Sequence, residues 1–155
     1  MAWSTPRTWV AGEKPSAATL NTHIRDNFAA IGDAWTSYTP TQGNMTLGNG
    51  ALSCAYTQAG KLVSFRIKFT LGSTSTVGTG PTFTLPVTSI ASRSFGGVVQ
   101  FWDSSASAIT LGFYFASGAG TLGLRTDASG TINSTTPFTW ANGDEISMVG
   151  TYEAA

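Results

Sequence analysis

Charge is what this chain has least of: 10% of its 155 residues are Asp, Glu, Lys or Arg, against about 25% in an ordinary soluble domain. The 8 basic and 8 acidic residues cancel. No stretch gathers Lys or Arg into a patch able to neutralise phosphates, which argues against a nucleic-acid partner. Low charge also removes repulsion between copies, a property tolerated inside an assembly. Histidine and cysteine are scarcer still, with one of each, His23 and Cys54. A single cysteine excludes an intrachain disulfide framework. Cys54 stands in phase with Leu52 and Tyr56 and reads as a small buried hydrophobe rather than a reactive thiol. Long apolar runs are missing too. Nothing approaches the ~18 residues of a membrane span, and Met1 to Arg7 has no apolar core of a secretory signal. The expectation is a chain made in the cytoplasm and not inserted in a membrane.

These shortages also limit the chemistry. A triad needs a nucleophile, a base and an orienting group, yet His23 sits alone on a predicted helix and no G-x-S-x-G elbow appears. With one Cys and one His, only carboxylates could hold a metal, and Asp127, Asp144 and Glu145 lack EF-hand spacing. Asp127 and Asp144 read instead as turn formers. Asp144 and Glu145 are adjacent, so on a strand they point to opposite faces and cannot pair across a glycosidase cleft. The glycine-rich stretches 72–80 and 118–123 do not lead from a strand into a helix and are loops, not phosphate cradles. The expectation is a chain without catalysis, cofactor or metal.

What is present divides the chain in two. Residues 9–35 contain the one helical pattern. Pro15 and Ser16 suit its start, with Ser16 as N-cap, and Gly32 suits its end as a left-handed residue after the last turn. Ala17, Leu20, Ile24, Phe28 and Ile31 form an apolar stripe. A helix of about fifteen residues is marginal alone in water and needs a partner surface, either its own β domain or copies of itself. Leu20, Ile24, Asn27 and Ile31 follow a 4-3-4 spacing, so Asn27 can act as a polar seam residue that fixes register. Ahead of the helix, MAWSTPRTWVAG reads as extended. Two readings stand for it, a loosely ordered terminus or a docking arm anchored by Trp3 and Trp9.

The remainder reads as strands and turns. Val63, Phe65, Ile67, Phe69 and Leu71 alternate with polar residues over 62–71, preceded by a strand over 51–58 and a reversal at Ala59-Gly60-Lys61. Residues 72–80 carry no periodic signal and are expected as a loop, followed by a short strand around Phe83 and Leu85. Strands over 95–102, 108–116 and 121–126 make a meander, and a last strand spans 145–152. The predicted architecture is mainly β: an antiparallel β-sandwich, jelly-roll-like or Ig-like, over residues 36–155, preceded by an N-terminal arm and one short amphipathic helix over residues 1–35. Trp102 and Trp140, near turns, are the aromatics best placed to stack on a sugar, although core packing explains most aromatics in such a fold.

Several blocks together carry a resemblance. Trp9-x-x-Gly12-Glu13, Ala17-x-x-Leu20-Asn21-Thr22-x-x-Arg25-Asp26-Asn27 and Trp35-x-x-Tyr38-Thr39-Pro40-Thr41 come first. Gly48-Asn49-Gly50-x-Leu52-x-x-x-Tyr56-x-x-x-Gly60-Lys61-x-Val63-x-Phe65 follows, and Pro137-Phe138-Thr139-Trp140-Ala141-x-Gly143-Asp144-x-Ile146 with Gly150-Thr151-Tyr152 closes the chain. In this order they resemble small virion proteins of tailed bacteriophages of actinobacteria, described as minor tail, tail-fibre-like or head-decorating components. The likeness implies a structural or adhesive role without catalysis, location on the virion, and assembly as a homo-oligomer, commonly a trimer, with other virion proteins as partners. It assigns Trp9, Leu20, Ile24, Asn27, Phe28 and Ile31 to anchoring or oligomerisation. Tail or fibre placement is the expectation; the alternatives are a capsid decoration or head-fibre protein, or a host cell-surface glycan-binding module with Trp102 and Trp140 as contacts.

Overall fold

The computed structural model describes residues 4–126 and 130–155; the expectations for Trp3 and Asp127 fall outside them. Near the N-terminus a single helical segment runs through α1 (Ala17–Leu20), a π-helical turn (Asn21–Arg25) and α2 (Asp26–Gly32). Nine strands follow: β1 (Thr36–Ser37), β2 (Gln42–Thr46), β3 (Ala51–Ala59), β4 (Leu62–Thr70), β5 (Thr76–Thr84), β6 (Gly96–Asp103), β7 (Ala108–Gly118), β8 (Thr121–Thr126) and β9 (Glu145–Glu153). All nine belong to one sheet in the order β1-β3-β4-β9-β6-β7-β8-β5-β2, and every neighbouring pair is antiparallel.

The mainly β, antiparallel character matches the alternation in the sequence. The arrangement differs from two separate sheets, because this one sheet curls into a half-barrel. Phe69 on β4 and Phe83 on β5 demonstrate the curl: their strands are third and eighth in the order, yet their rings lie 6.2 Å apart. In a flat sheet five strand spacings would separate them by about 24 Å. The inside of the curl is the core, filled by Val63, Phe65, Ile67 and Phe69 from β4, Val99 and Phe101 from β6, Leu122 from β8 and Ile146 from β9. Large rings fit there because facing strands offer glycine: a Cβ on Gly150 would land on the Tyr114 hydroxyl.

The β3–β4 hairpin turns where expected, at Gly60 with φ 62°. Of residues 72–80, expected as a loop, 72–75 do form a turn, but 76–80 supply the first half of β5. Their alternation is hidden by an irregularity: between Gly43 and Met45 the pairing of β2 jumps from Thr82 to Val77 on β5. Gly80 lies within that jump at φ 65°, a conformation that L side chains disfavour. The helix start follows the prediction, since the Ser16 hydroxyl accepts the Thr19 N–H at 3.1 Å. Its end does not. Gly32 is the last helical residue and has no positive φ, and Asp33 leaves the helix directly in extended geometry, φ −67° and ψ 155°.

Candidate functional site

The helix lies against β3, and its buried residues are Asn27 and Ala30; Ala55 on the outer side of β3 is buried as well. The predicted stripe points elsewhere. Leu20, Ile24, Phe28 and Ile31 are all exposed, Phe28 to 73% and Ile31 to 64%. The π-helical turn between α1 and α2 is wider than an α turn, so it rotates the second half of the stripe relative to the first.

Asn27 does not join that surface. Its side-chain amide donates to the Ser4 carbonyl at 2.9 Å and accepts the Ser4 N–H at 2.9 Å, completing both backbone bonds of one extended residue. The Ser4 hydroxyl reaches the Thr22 carbonyl at 2.9 Å, and His23 Nδ1 lies 3.1 Å from the Thr5 carbonyl. Through these bonds Asn27 forms a clasp that straps the N-terminal segment along the helix. Trp9 is 40% exposed, with the Arg7 guanidinium 5.0 Å above its ring and Arg7 paired to Glu13 at 2.7 Å. Beside the stripe, Pro6, His23, Asn27, Phe28 and Ile31 line a notch of about 170 Å³.

The two tryptophans named for glycan stacking part company. Trp140 is half-buried, packs edge-on against Phe101 and donates its indole N–H to the Asn133 carbonyl at 2.9 Å. It is a core residue with a satisfied polar tip. Trp102 is half-buried on the outer side of β6, opposite Ile109 of β7.

The acidic groups are engaged with their own neighbours. Asp144 is fully buried: its carboxylate accepts the Ser104 N–H and hydroxyl at 2.9 Å each and the Ala141 N–H at 2.7 Å. It locks the turn after β6 to the turn before β9. Asp103 accepts the Ser105 hydroxyl at 2.7 Å and the backbone N–H groups of Ser105 and Ala106, and those bonds, the Ser105 hydroxyl first, hold its carboxyl below the usual range. Glu145 faces outward and pairs with Lys68 at 2.8 Å. Burial pushes the Cys54 thiol up, which keeps it protonated inside the curl. Among the described residues, no three His, Cys, Asp or Glu side chains gather as a metal site would require.

The remaining surface of note is the outer face of β6, β7 and β9. Val98, Ile109, Leu111, Phe113 and Val149 are each 50–69% exposed. The pairing makes them contiguous: Val98 lies opposite Phe113, Gln100 opposite Leu111, and Val149 follows Met148, the partner of Val99. Towards β4 this patch opens into a trough of about 500 Å³ lined by Ser53, Arg66, Lys68, Gln100, Ser147, Val98 and Val149. The Arg66 guanidinium at the trough stacks 5.5 Å from the Trp35 ring, so the trough separates the helix from the patch on the same side of the sheet.

No family model, curated protein or solved structure matches the chain. The site therefore stands on its geometry. That geometry joins two apolar surfaces, the helix stripe and the patch on β6, β7 and β9, with a trough between them. The stripe was visible in the sequence and the patch was not singled out, although β7 carried its signal. Ile109, Leu111, Phe113 and Phe115 occupy one phase of that strand while Tyr114 and Ala116 occupy the other, so β7 is apolar on both faces. A half-buried strand would alternate with polar residues.

Proposed function

We propose that this chain is a non-catalytic surface protein of a tailed-bacteriophage virion, in which the helical N-terminal region joins copies to one another and to the particle while the β region faces outward. One observation carries the reading. The helix turns Leu20, Ile24, Phe28 and Ile31 away from the core inside the curl, leaving exposed the side chains that would reward burial most. The scarcity of charge fits the same role, since 10% charged residues leave little to keep copies apart. The reading takes the curled sheet as a jelly-roll-like sandwich whose two layers are halves of one continuous sheet. It takes residues 1–35 as the attachment segment.

Gold-labelled antibody against the chain, applied to purified particles of the phage that encodes it, is the test. Label on the tail supports a tail or fibre component, and label spread over the head supports a decoration protein. Particles that never take the label sink the proposal. A second reading, a host-glycan-binding module, rests on the part of Trp102 left open on the outer face. It predicts that Trp102→Ala abolishes binding on a glycan array, whereas Trp140→Ala acts only by loosening the core.

A further inference from the structure

Two apolar surfaces lie on one side of the same sheet, and among the described residues none covers either of them. We propose that they cover each other between copies: the stripe Leu20, Ile24, Phe28 and Ile31 of one chain lies across Val98, Leu111, Phe113 and Val149 of the next. This deepens the assembly reading above and rests on it.

Area supports a second copy as the occupant. Taking about 150–200 Å² for a fully exposed large side chain, the fractional exposures leave about 400 Å² on the four patch residues and about 400 Å² on the stripe. In a reciprocal pair, where each copy gives both surfaces to one interface, about 800 Å² is covered per copy, the size of a standard specific interface per partner. One contact alone covers about half of that and is correspondingly weaker. The same apolar character on both sides, with a net charge of zero, sets no electrostatic barrier to self-association.

Shape and sequence decide that helix meets sheet rather than its own kind. A helix-to-helix seam needs an unbroken 3.5-residue repeat, but the π-helical turn interrupts it and Asn27 is held by Ser4. Two outer faces of curled sheets bulge towards each other and touch along a line. The trough beside Val98 and Val149, by contrast, is concave and open, and a helix can settle along it. Helix on sheet is a standard way of burying an apolar sheet face. Each copy offers both surfaces, so the contact made twice between the same two copies closes as a reciprocal two-fold pair, the closure that reaches the standard interface area.

Light scattering on the full chain and two variants tests the contact. The unaltered chain is expected above its monomer mass of 16.1 kDa. Phe28→Asp removes the helix surface and Phe113→Asp the sheet surface, and each is expected to weaken self-association by about thirtyfold or more, as loss of a hot-spot residue does. Both side chains are at least half exposed, so the circular dichroism of each variant is expected to stay native; if Phe113→Asp unfolds, Val149→Asp on the same face replaces it. The deciding step is to mix them. Each variant keeps the surface that the other lost, so the mixture restores one of the two contacts and is expected to form a one-to-one complex of twice the chain mass at concentrations where each variant alone is monomeric. A mixture that stays monomeric, an assembly that survives both substitutions, or an unaltered chain that is monomeric overturns the contact. None of these bears on whether the chain is found on particles, which the gold label reads separately.

Discussion

Tyr152 and Tyr38 place one kind of side chain under opposite conditions. The Tyr152 hydroxyl donates to the Val87 carbonyl at 2.6 Å and accepts the Val87 N–H at 3.2 Å, tying the segment after β5 to β9. The Tyr38 hydroxyl is buried with no hydrogen-bond partner among the described residues. Tyr152→Phe is therefore expected to cost about 1–3 kcal/mol, because it strands two backbone groups. Tyr38→Phe is expected to be neutral or stabilising, and urea unfolding of both variants checks the contrast. Burial also pushes the Tyr152 hydroxyl up to about 12 and raises that of Tyr38. An unfolded tyrosine releases its proton near pH 10, while the folded ones hold theirs beyond it. The unfolded chain thus binds fewer protons above pH 10, so stability is undiminished below that point and falls as pH rises from 10 through about 12. Melting temperatures across that window should drop for the unaltered chain and drop less steeply for Tyr152→Phe.

Within the elements, the helical segment is held by a clasp and not by its stripe. Asn27→Ala removes both bonds to Ser4, at an expected cost of about 1–2 kcal/mol to docking of the N-terminal segment. Amide hydrogen exchange should show residues 4–6 losing protection while β4 and β9 keep theirs. The clasp also explains what the sequence could reveal about this element. Ser16 was legible because an N-cap is a local contact, and the apolar stripe because it is periodic. Asn27 stood in phase with a seam, and its bonds to Ser4, 23 residues away, left no trace in that spacing. Strand legibility follows the same rule. β4 alternates cleanly because one face is core and the other wet, whereas β5 hides its period behind an irregularity at Gly80, and β7 loses alternation because both of its faces are apolar. The curl escaped detection for a related reason. Strand pattern reports which face is buried but not against what, and one sheet bent over itself buries the same residues as two sheets face to face.

Across the whole molecule, no described helical residue belongs to the main apolar cluster, whose buried members all lie at or beyond residue 45. The helix leans on β3 from outside through its Asn27 and Ala30 side, a small contact beside a core that includes Phe65, Phe69, Phe83 and Phe101. Removing residues 1–33 should leave the nine-stranded curl intact and expose Ala55, at an expected cost of about 1–2 kcal/mol and a melting temperature lower by about 3–8 °C. The truncated chain should keep the near-ultraviolet circular dichroism of its packed aromatics, since their partners all lie within the curl. It should also be monomeric, because it retains the patch on β6, β7 and β9 but no stripe to cover it. Addition of the full-length Phe113→Asp chain, which has a stripe and no competent patch, should then restore a one-to-one complex. If the truncated chain instead loses its cooperative melt, the helix is part of what closes the half-barrel. The exposure of its apolar side would then reflect a helix that serves its own sheet from the far side and not one that waits for another chain's.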